Sequence, residues 1–299
     1  TGCLAAGGTL GILIPPSLIL IIYAVMVEAN IATLFQAALL PGILAAIGYI
    51  GVIAIIVRIN PNSGPAAPKT SLSERWKSIL DIWGVLLIFI LVMGGIYSGI
   101  FTPTEGAGIG CIGTFLLAIT RGRMRWKGIK DVFLGTASTT GLIFLIILGA
   151  AIFSAFLGFT ELPNDLAEFF RTSGLPPIII IIMMVVIYIL LGFLMDSLSM
   201  ILLTVPIFWP IIAALDFGMP VDDVKLWFGI ISLIVVEVGL ITPPVGMNVF
   251  VISSMAKDVP MIETFKGVIP FFISDAVRVA FIVWLPSLTL FLPHLLASD

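Results

Sequence analysis

Twice in this sequence a pair of prolines stands inside a long apolar run. Leu10–Ser17 reads LGILIPPS and Val238–Val245 reads VGLITPPV. Proline has no amide hydrogen and disfavours helix in the residue before it. Each pair therefore interrupts a helix that its apolar neighbours would otherwise continue. In hydrocarbon, unpaired backbone groups are costly, so such a break survives only where protein buries it or a polar cavity receives it. Any fold of this chain must be built around both breaks.

Composition supplies the hydrocarbon. The 299 residues are 60% hydrophobic and 10% charged, with a mean hydropathy of +1.23. Soluble domains carry about 25% charged residues. A chain this apolar cannot coat itself in water, which predicts an all-α polytopic membrane protein. The net charge is −3, and its placement says more than its sum. Cys3 and Cys111 lie in apolar stretches and read as small packing residues without a disulfide. The opening TGCLAAGGTL lacks the basic n-region of a signal peptide, so Thr1 is expected to follow further residues.

Spans of roughly 20 apolar residues are expected at Leu10–Val27, Ile31–Val57, Ile79–Gly99, Thr104–Ile119, Val132–Gly158, Leu226–Ser254 and Val268–Leu292. The stretch Pro176–Leu215 is too long for one span, and its middle reads LGFLMDSLSM. It predicts a hairpin that turns at Asp196–Ser199 and leaves by the side it entered. Arg58, Lys69, Arg75 and Lys77 mark one loop; Arg121, Arg123, Arg125, Lys127 and Lys130 mark a second, two spans later. The positive-inside rule makes that face cytoplasmic. The acid-rich connections Thr160–Leu175 and Asp216–Asp223, with His294 and Asp299, fall outside. RGRMRWKGIKDVFLG, Arg121–Gly135, is expected as an interfacial arm with Trp126 at headgroup level.

On this topology the two broken segments run in opposite directions, offset by 228 residues from Gly11 to Gly239. Each is followed by one further span. This pattern predicts inverted-topology repeats. Residues 1–59 would close the first repeat, 60–78 would form a cytoplasmic linker, and 79–299 would be the second. The second holds three spans, the hairpin 176–215, the broken helix 226–254 and the last span 268–292. The linker contains NPNSGPAAPKTS, Asn60–Ser71. Equal repeats would place the counterparts of Ile79–Phe228, about 150 residues, ahead of Thr1.

At each break, freed carbonyls could coordinate a cation, and the following half-helix points its amides at an anion. Simple packing kinks are the plain alternative. Asp196 with Ser197 and Ser199 offers hard oxygen ligands to a small cation such as Na⁺ at mid-membrane; alternatively, the tip only bonds its own turn. Glu237 could line a cavity, couple a proton or brace the unwound backbone. Glu105 in TPTEGAG reads as a helix cap. Asp275 and Arg278, three apart on the last helix, read as a pair. GIGCIG, Gly108–Gly113, fits a dinucleotide fingerprint but has no preceding strand. The spacings Gly7–Gly11, Gly95–Gly99 and Gly106–Gly110 suggest close helix packing. Zinc, hydrolytic and nucleic-acid patterns are not evident, so an enzyme is not expected.

GGTLGILIPPS, FTPTEGAGIG, LPNDLAEFF, FLMDSLSMILLTVPIFWPI and VEVGLITPPVGMNVFV occur in this order along the whole chain. Together they resemble the large membrane subunit of tripartite ATP-independent periplasmic (TRAP) transporters. The resemblance implies an ion-transporter-superfamily fold with an elevator mechanism, in the bacterial inner membrane. It implies Na⁺-coupled uptake of an organic acid such as a C4-dicarboxylate or sialic acid. A periplasmic binding protein would deliver the substrate, and a small four-helix membrane subunit would widen the scaffold. By resemblance, Gly8, Thr9 and Gly11 belong to a first Na⁺ site. Asp196, Ser197, Ser199, Gly239, Thr242, Gly246 and Met247 surround a second. The rival within the same superfold is a Na⁺/dicarboxylate symporter that needs no binding protein.

Overall fold

The computed structural model describes residues 1–64, 70–122, 124–256 and 258–296. Lys69, Arg123 and Asp299, assigned above to loops and the terminus, lie outside them, as does the middle of the expected linker. Among the described residues all regular structure is helical. The helices are α1 Gly2–Leu13, α2 Leu18–Met26, α3 Ile31–Ile59, α4 Leu72–Asp81, α5 Trp83–Tyr97, α6 Pro103–Thr120 and α7 Trp126–Thr160. They continue with α8 Leu162–Thr172, α9 Pro177–Gly192, α10 Ser197–Ala213, α11 Val221–Ile241, α12 Met247–Met255, α13 Met261–Trp284 and α14 Ser287–Leu296. Four helices are long and apolar enough to cross a membrane, or up to six if each bent pair is one span. The chain is a multi-pass, all-helical membrane protein.

Helices associate in lipid without a hydrophobic driving force between them, so close packing and small residues must do the work. The first unit, Thr1–Ile59 with Ile147–Asp299, is organised in this way around α11. Its residues from Leu226 to Ile241 are all buried. Around it pack α1, α2, α3, α9, α10, α12, α13 and α14. The tightest approaches are at glycines. Gly2 meets the Gly267 backbone, and Gly229 seats the ring of Tyr23. The Tyr23 hydroxyl donates to the Lys225 carbonyl at 2.8 Å, and Trp227 Nε1 donates to the Ile282 carbonyl at 2.8 Å. These bonds satisfy the polar tips of two fully buried rings.

The second unit is Asn60–Ile146. Ser71 and Glu74 form a capping box that starts α4, and Thr102 and Glu105 form another at α6. Glu105 is therefore a cap, as its position suggested. α5 and α6 lie antiparallel, with small residues against large ones: Gly84 on Leu117, Gly113 on Ile88, and Gly106 on Ile96. Gly110 contacts Val92, and Gly95 is covered by the ring of Phe101. Gly7 and Gly11 instead face open space. Of the expected spacings, Gly106–Gly110 packs on α5, whereas Gly99, Gly7 and Gly11 have nothing within 4 Å of an added Cβ. Cys3 and Cys111 are free thiols on the outer helix faces, not packing residues.

Some element boundaries differ from expectation. The basic arm does not lie apart: from Trp126 it is already part of α7, a single 35-residue helix about 52 Å long. Gly128 and Gly135 are isolated helix-tolerated glycines, with no proline to stop propagation. The last segment begins earlier, at Met261, and divides at Leu285, where Pro286 cannot continue the α13 ladder.

Candidate functional site

Both proline pairs break their helices where the sequence places them. α1 and α2 are bent by 45°. The Pro15–Pro16 and Pro243–Pro244 peptide bonds are cis. Ile14 and Thr242, the residues capping α1 and α11, adopt nearly the same extended conformation, φ −79°, ψ 118° and φ −82°, ψ 132°. An α-helical carbonyl accepts from the amide four residues on. Prolines stand four residues after Gly11, Ile12, Gly239 and Leu240, so those carbonyls lack this donor. The chemistry of the donor set suits a hard cation: main-chain carbonyls, hydroxyls and one carboxylate.

α9 and α10 are joined by a turn at Phe193–Asp196, ahead of the expected Asp196–Ser199, whose serines already lie in the first turn of α10. Asp196 is the N-cap of α10. Its Oδ2 accepts from the amides of Leu198 at 3.0 Å and Ser199 at 3.2 Å, and its Oδ1 accepts from the Ser199 hydroxyl. The tip does bond its own turn. A carboxylate has about four lone-pair sites, so this capping leaves acceptor capacity. Ser197 is buried, and Asp196 and Ser199 are half-buried.

The end of α9 and the end of α11 are brought together by two glycines. Gly192, at the end of α9, lies against Gly239 near the end of α11; a Cβ on Gly239 would fall 2.7 Å from the Gly192 Cα. Only paired glycines permit this backbone-to-backbone approach. Beyond it, Thr242 donates its hydroxyl to the Val238 carbonyl, while its amide goes to Gly239 at 3.2 Å. Gly246, at φ +53°, opens α12, and Met247 is its first residue. Gly239, Thr242 and Gly246 are buried; Met247 is exposed. In the other group, Thr9 is fully buried, donating to the Ala6 carbonyl at 2.8 Å. Gly8 and Gly11 are exposed, with nothing within 4 Å of where a Cβ would stand.

Sequence reasoning missed Tyr49. Its hydroxyl donates to Asp275 Oδ2 at 2.7 Å in the interior. A tyrosine in the middle of an apolar helix was the available signal, because a buried phenol needs a partner. The Asp275–Arg278 pair forms as expected, at 3.0 Å. The acidic residues of the loops thought to be external are partly neutralised within the chain. Glu168 pairs with Arg171 at 2.7 Å, Asp222 with Lys225 at 3.1 Å, and Asp223 with His294 at 2.9 Å. The Arg171 guanidinium holds the Glu168 carboxyl below the ordinary carboxylate range.

Known proteins share this pattern. The family model of the tripartite ATP-independent periplasmic transporter, DctM component, matches residues 1–288. The "C4-dicarboxylate TRAP transporter large permease protein DctM" of Pseudomonas aeruginosa is 34% identical over 300 residues, covering 100% of this chain and 68% of the relative. The "Sialic acid TRAP transporter large permease protein SiaM" of Vibrio cholerae is 30% identical over 295 residues, covering 98% and 67%. These relatives are permease subunits, not enzymes. A broken-helix, hairpin-bearing membrane chain matched along nearly its whole length by one family model leads to a single assignment: this chain belongs to the DctM-component family of TRAP transporters, the large permease subunits.

Proposed function

We propose that the chain carries the transport pathway of a Na⁺-coupled uptake system for an organic acid. Its substrate class is that named for its relatives, C4-dicarboxylate or sialic acid. The observation that carries this reading is the contact of Gly192, just before the α9–α10 turn that Asp196 caps, with Gly239, just before the second helix break. There the proline pair deprives the Leu240 carbonyl of its helical donor, and the α9–α10 turn carries a carboxylate and two hydroxyls. Na⁺ is held by Asp196, Ser197 and Ser199 from the hairpin and by Gly239, Thr242, Gly246 and Met247 around the break. Gly8, Thr9 and Gly11 serve the first break in the same way. The two breaks descend from inverted repeats, 1–59 and 79–299 joined by 60–78, which supply two pseudo-equivalent states for alternating access. In the elevator step the hairpin and broken helix travel as one body.

The protein sits in the bacterial inner membrane with a small membrane subunit. A soluble periplasmic binding protein delivers the substrate to the face bearing α8 and the Asp216–Asp223 connection. Proteoliposomes holding the intact assembly provide the test. Uptake of labelled acid is expected only with an inward Na⁺ gradient and the binding protein present. Asp196→Asn keeps a competent N-cap, since Asn caps as well as Asp, but removes the charge. It is expected to insert and fold while losing Na⁺-driven uptake. Unchanged Na⁺ dependence in that variant rejects the site. Robust uptake without any soluble protein favours the stand-alone symporter.

A further inference from the structure

A buried chain of polar side chains runs between the two helix breaks, and of its members only Thr9 also stands in a proposed cation site. At one end is Thr9 of α1, whose hydroxyl donates to the Ala6 carbonyl, and Ala6 packs with Tyr49 of α3 in one buried cluster. Tyr49 donates to Asp275 at 2.7 Å, and Asp275 lies 3.0 Å from Arg278 Nη2. The same Nη2 lies 3.7 Å from Glu237 Oε2 on α11. Glu237 lies on the helix that packs along α1. All five side chains are buried, Glu237 and Thr9 completely. The 228-residue offset that aligns Gly11 with Gly239 also aligns Thr9 with Glu237. Both ends of the chain thus stand two residues before the glycine of their own break.

Such a network is a poor device for stability alone. Two carboxylates share one guanidinium by charge alone: all three guanidinium nitrogens of Arg278, Oδ1 of Asp275 and both oxygens of Glu237 have no hydrogen-bond partner. Desolvating buried charges offsets most of their mutual attraction, and apolar replacements of similar size are often as stable. The best-attested role of buried ion pairs is to fix register. Here the register is that of α1 against α11, with α13 and α3 as the bridge.

We propose that the network through Tyr49, Asp275 and Arg278 is a positioning device that couples the two breaks, so that a cation at one sets the backbone geometry of the other. Arg278 acts through Glu237 and Asp275 and touches neither break itself. The inference rests on the Na⁺ reading above and adds cooperativity between its two sites. Coupling of this kind is a free energy that appears as a Hill slope above about 1.

The test measures thermal unfolding of the intact purified transporter against Na⁺ concentration, with choline holding ionic strength constant. The unsubstituted protein is expected to be stabilised by Na⁺ with a Hill slope above about 1. Tyr49→Phe removes one hydroxyl and keeps the ring; Arg278→Lys keeps the charge and loses the fork. Both are expected to bring the slope to about 1 and raise the midpoint about three- to tenfold. Tyr23→Phe, which removes a buried hydrogen bond on α2, is expected to leave slope and midpoint unchanged. A folded Tyr49→Phe or Arg278→Lys protein with the original slope and midpoint overturns the coupling. So does a slope of about 1 in the unsubstituted protein. No Na⁺ stabilisation in the unsubstituted protein overturns the Na⁺ reading and this inference together.

Discussion

The two helix breaks share a sequence pattern and differ in what surrounds them. At the first, the Ile14 amide keeps its helical partner, the Leu10 carbonyl, at 3.0 Å, and Ser17 caps α2. At the second, the corresponding amide of Thr242 shifts to Gly239, and the threonine hydroxyl takes over the Val238 carbonyl. The half-helix beyond it opens on Gly246 without a side-chain cap. Gly239 is pressed against the hairpin, whereas Gly11, its counterpart by offset, meets nothing within 4 Å of an added Cβ. Proline chemistry makes the breaks alike. The neighbouring element decides how each break spends its freed backbone groups.

The sharpest way to break this comparison is to add one methyl at each glycine. Gly239→Ala would push a Cβ into the Gly192 backbone, which cannot rotate away. It is expected to destabilise by about 1–3 kcal/mol, the usual cost of overpacking. Gly11→Ala is expected to be neutral, or stabilising by up to about 1 kcal/mol through helix propensity. Thermal unfolding of both variants in the intact assembly decides the point. An equal loss at Gly11 would mean that another element covers the first break in that assembly.

The caps give the next largest contrast. Asp196 receives three donors, while Ser17 receives only the Leu20 amide at 3.5 Å, the limit of a hydrogen bond. Asp196→Ala is expected to cost about 1–2 kcal/mol and Ser17→Ala about 0.5 kcal/mol. Denaturation of the two variants under Na⁺-free conditions isolates capping from ion binding. A Ser17 loss as large as that at Asp196 would make the two half-helices energetically equivalent.

The smallest effect tests the threonine. Thr242→Val removes the hydroxyl that the first break does without. The Val238 carbonyl must then recover its amide, as Leu10 does, or go unpaired. A cost of about 0.5–1 kcal/mol is expected, together with a weaker Na⁺ response. Unchanged stability and Na⁺ response would show that the hydroxyl is incidental and the two breaks interchangeable.

Much of this was legible before any coordinates. Pro15, Pro16, Pro243 and Pro244 announce the breaks because an imide nitrogen cannot donate, whatever surrounds it. Asp196 announces a helix start, because a carboxylate inside an apolar run needs donors and the amides of a first turn supply them; the turn itself lies just ahead, at Phe193–Asp196. Glu105 reads as a cap from its place at the end of an expected span, and the capping box with Thr102 gives the reason. The basic segment Arg121–Gly135 does not reveal that α7 starts inside it at Trp126, because charge marks depth in a membrane but does not stop a helix. Gly7 and Gly11 were misread because a small-residue spacing permits close approach without naming a partner.

The sequence by itself determined where helices must stop, how apolar the chain is and which polar residues cannot be chance. These follow from local chemistry: missing amides, side-chain oxygens at turns and the cost of backbone in hydrocarbon. Only the tertiary structure decided that Gly192 meets Gly239, that Tyr49 reaches Asp275 across 226 residues, and that Arg278 stands between two acids. Those contacts depend on the rotation and depth of whole helices. In a chain where nearly every helix face is apolar, hydrophobic pattern cannot select a face, and close packing with buried polar pairing does.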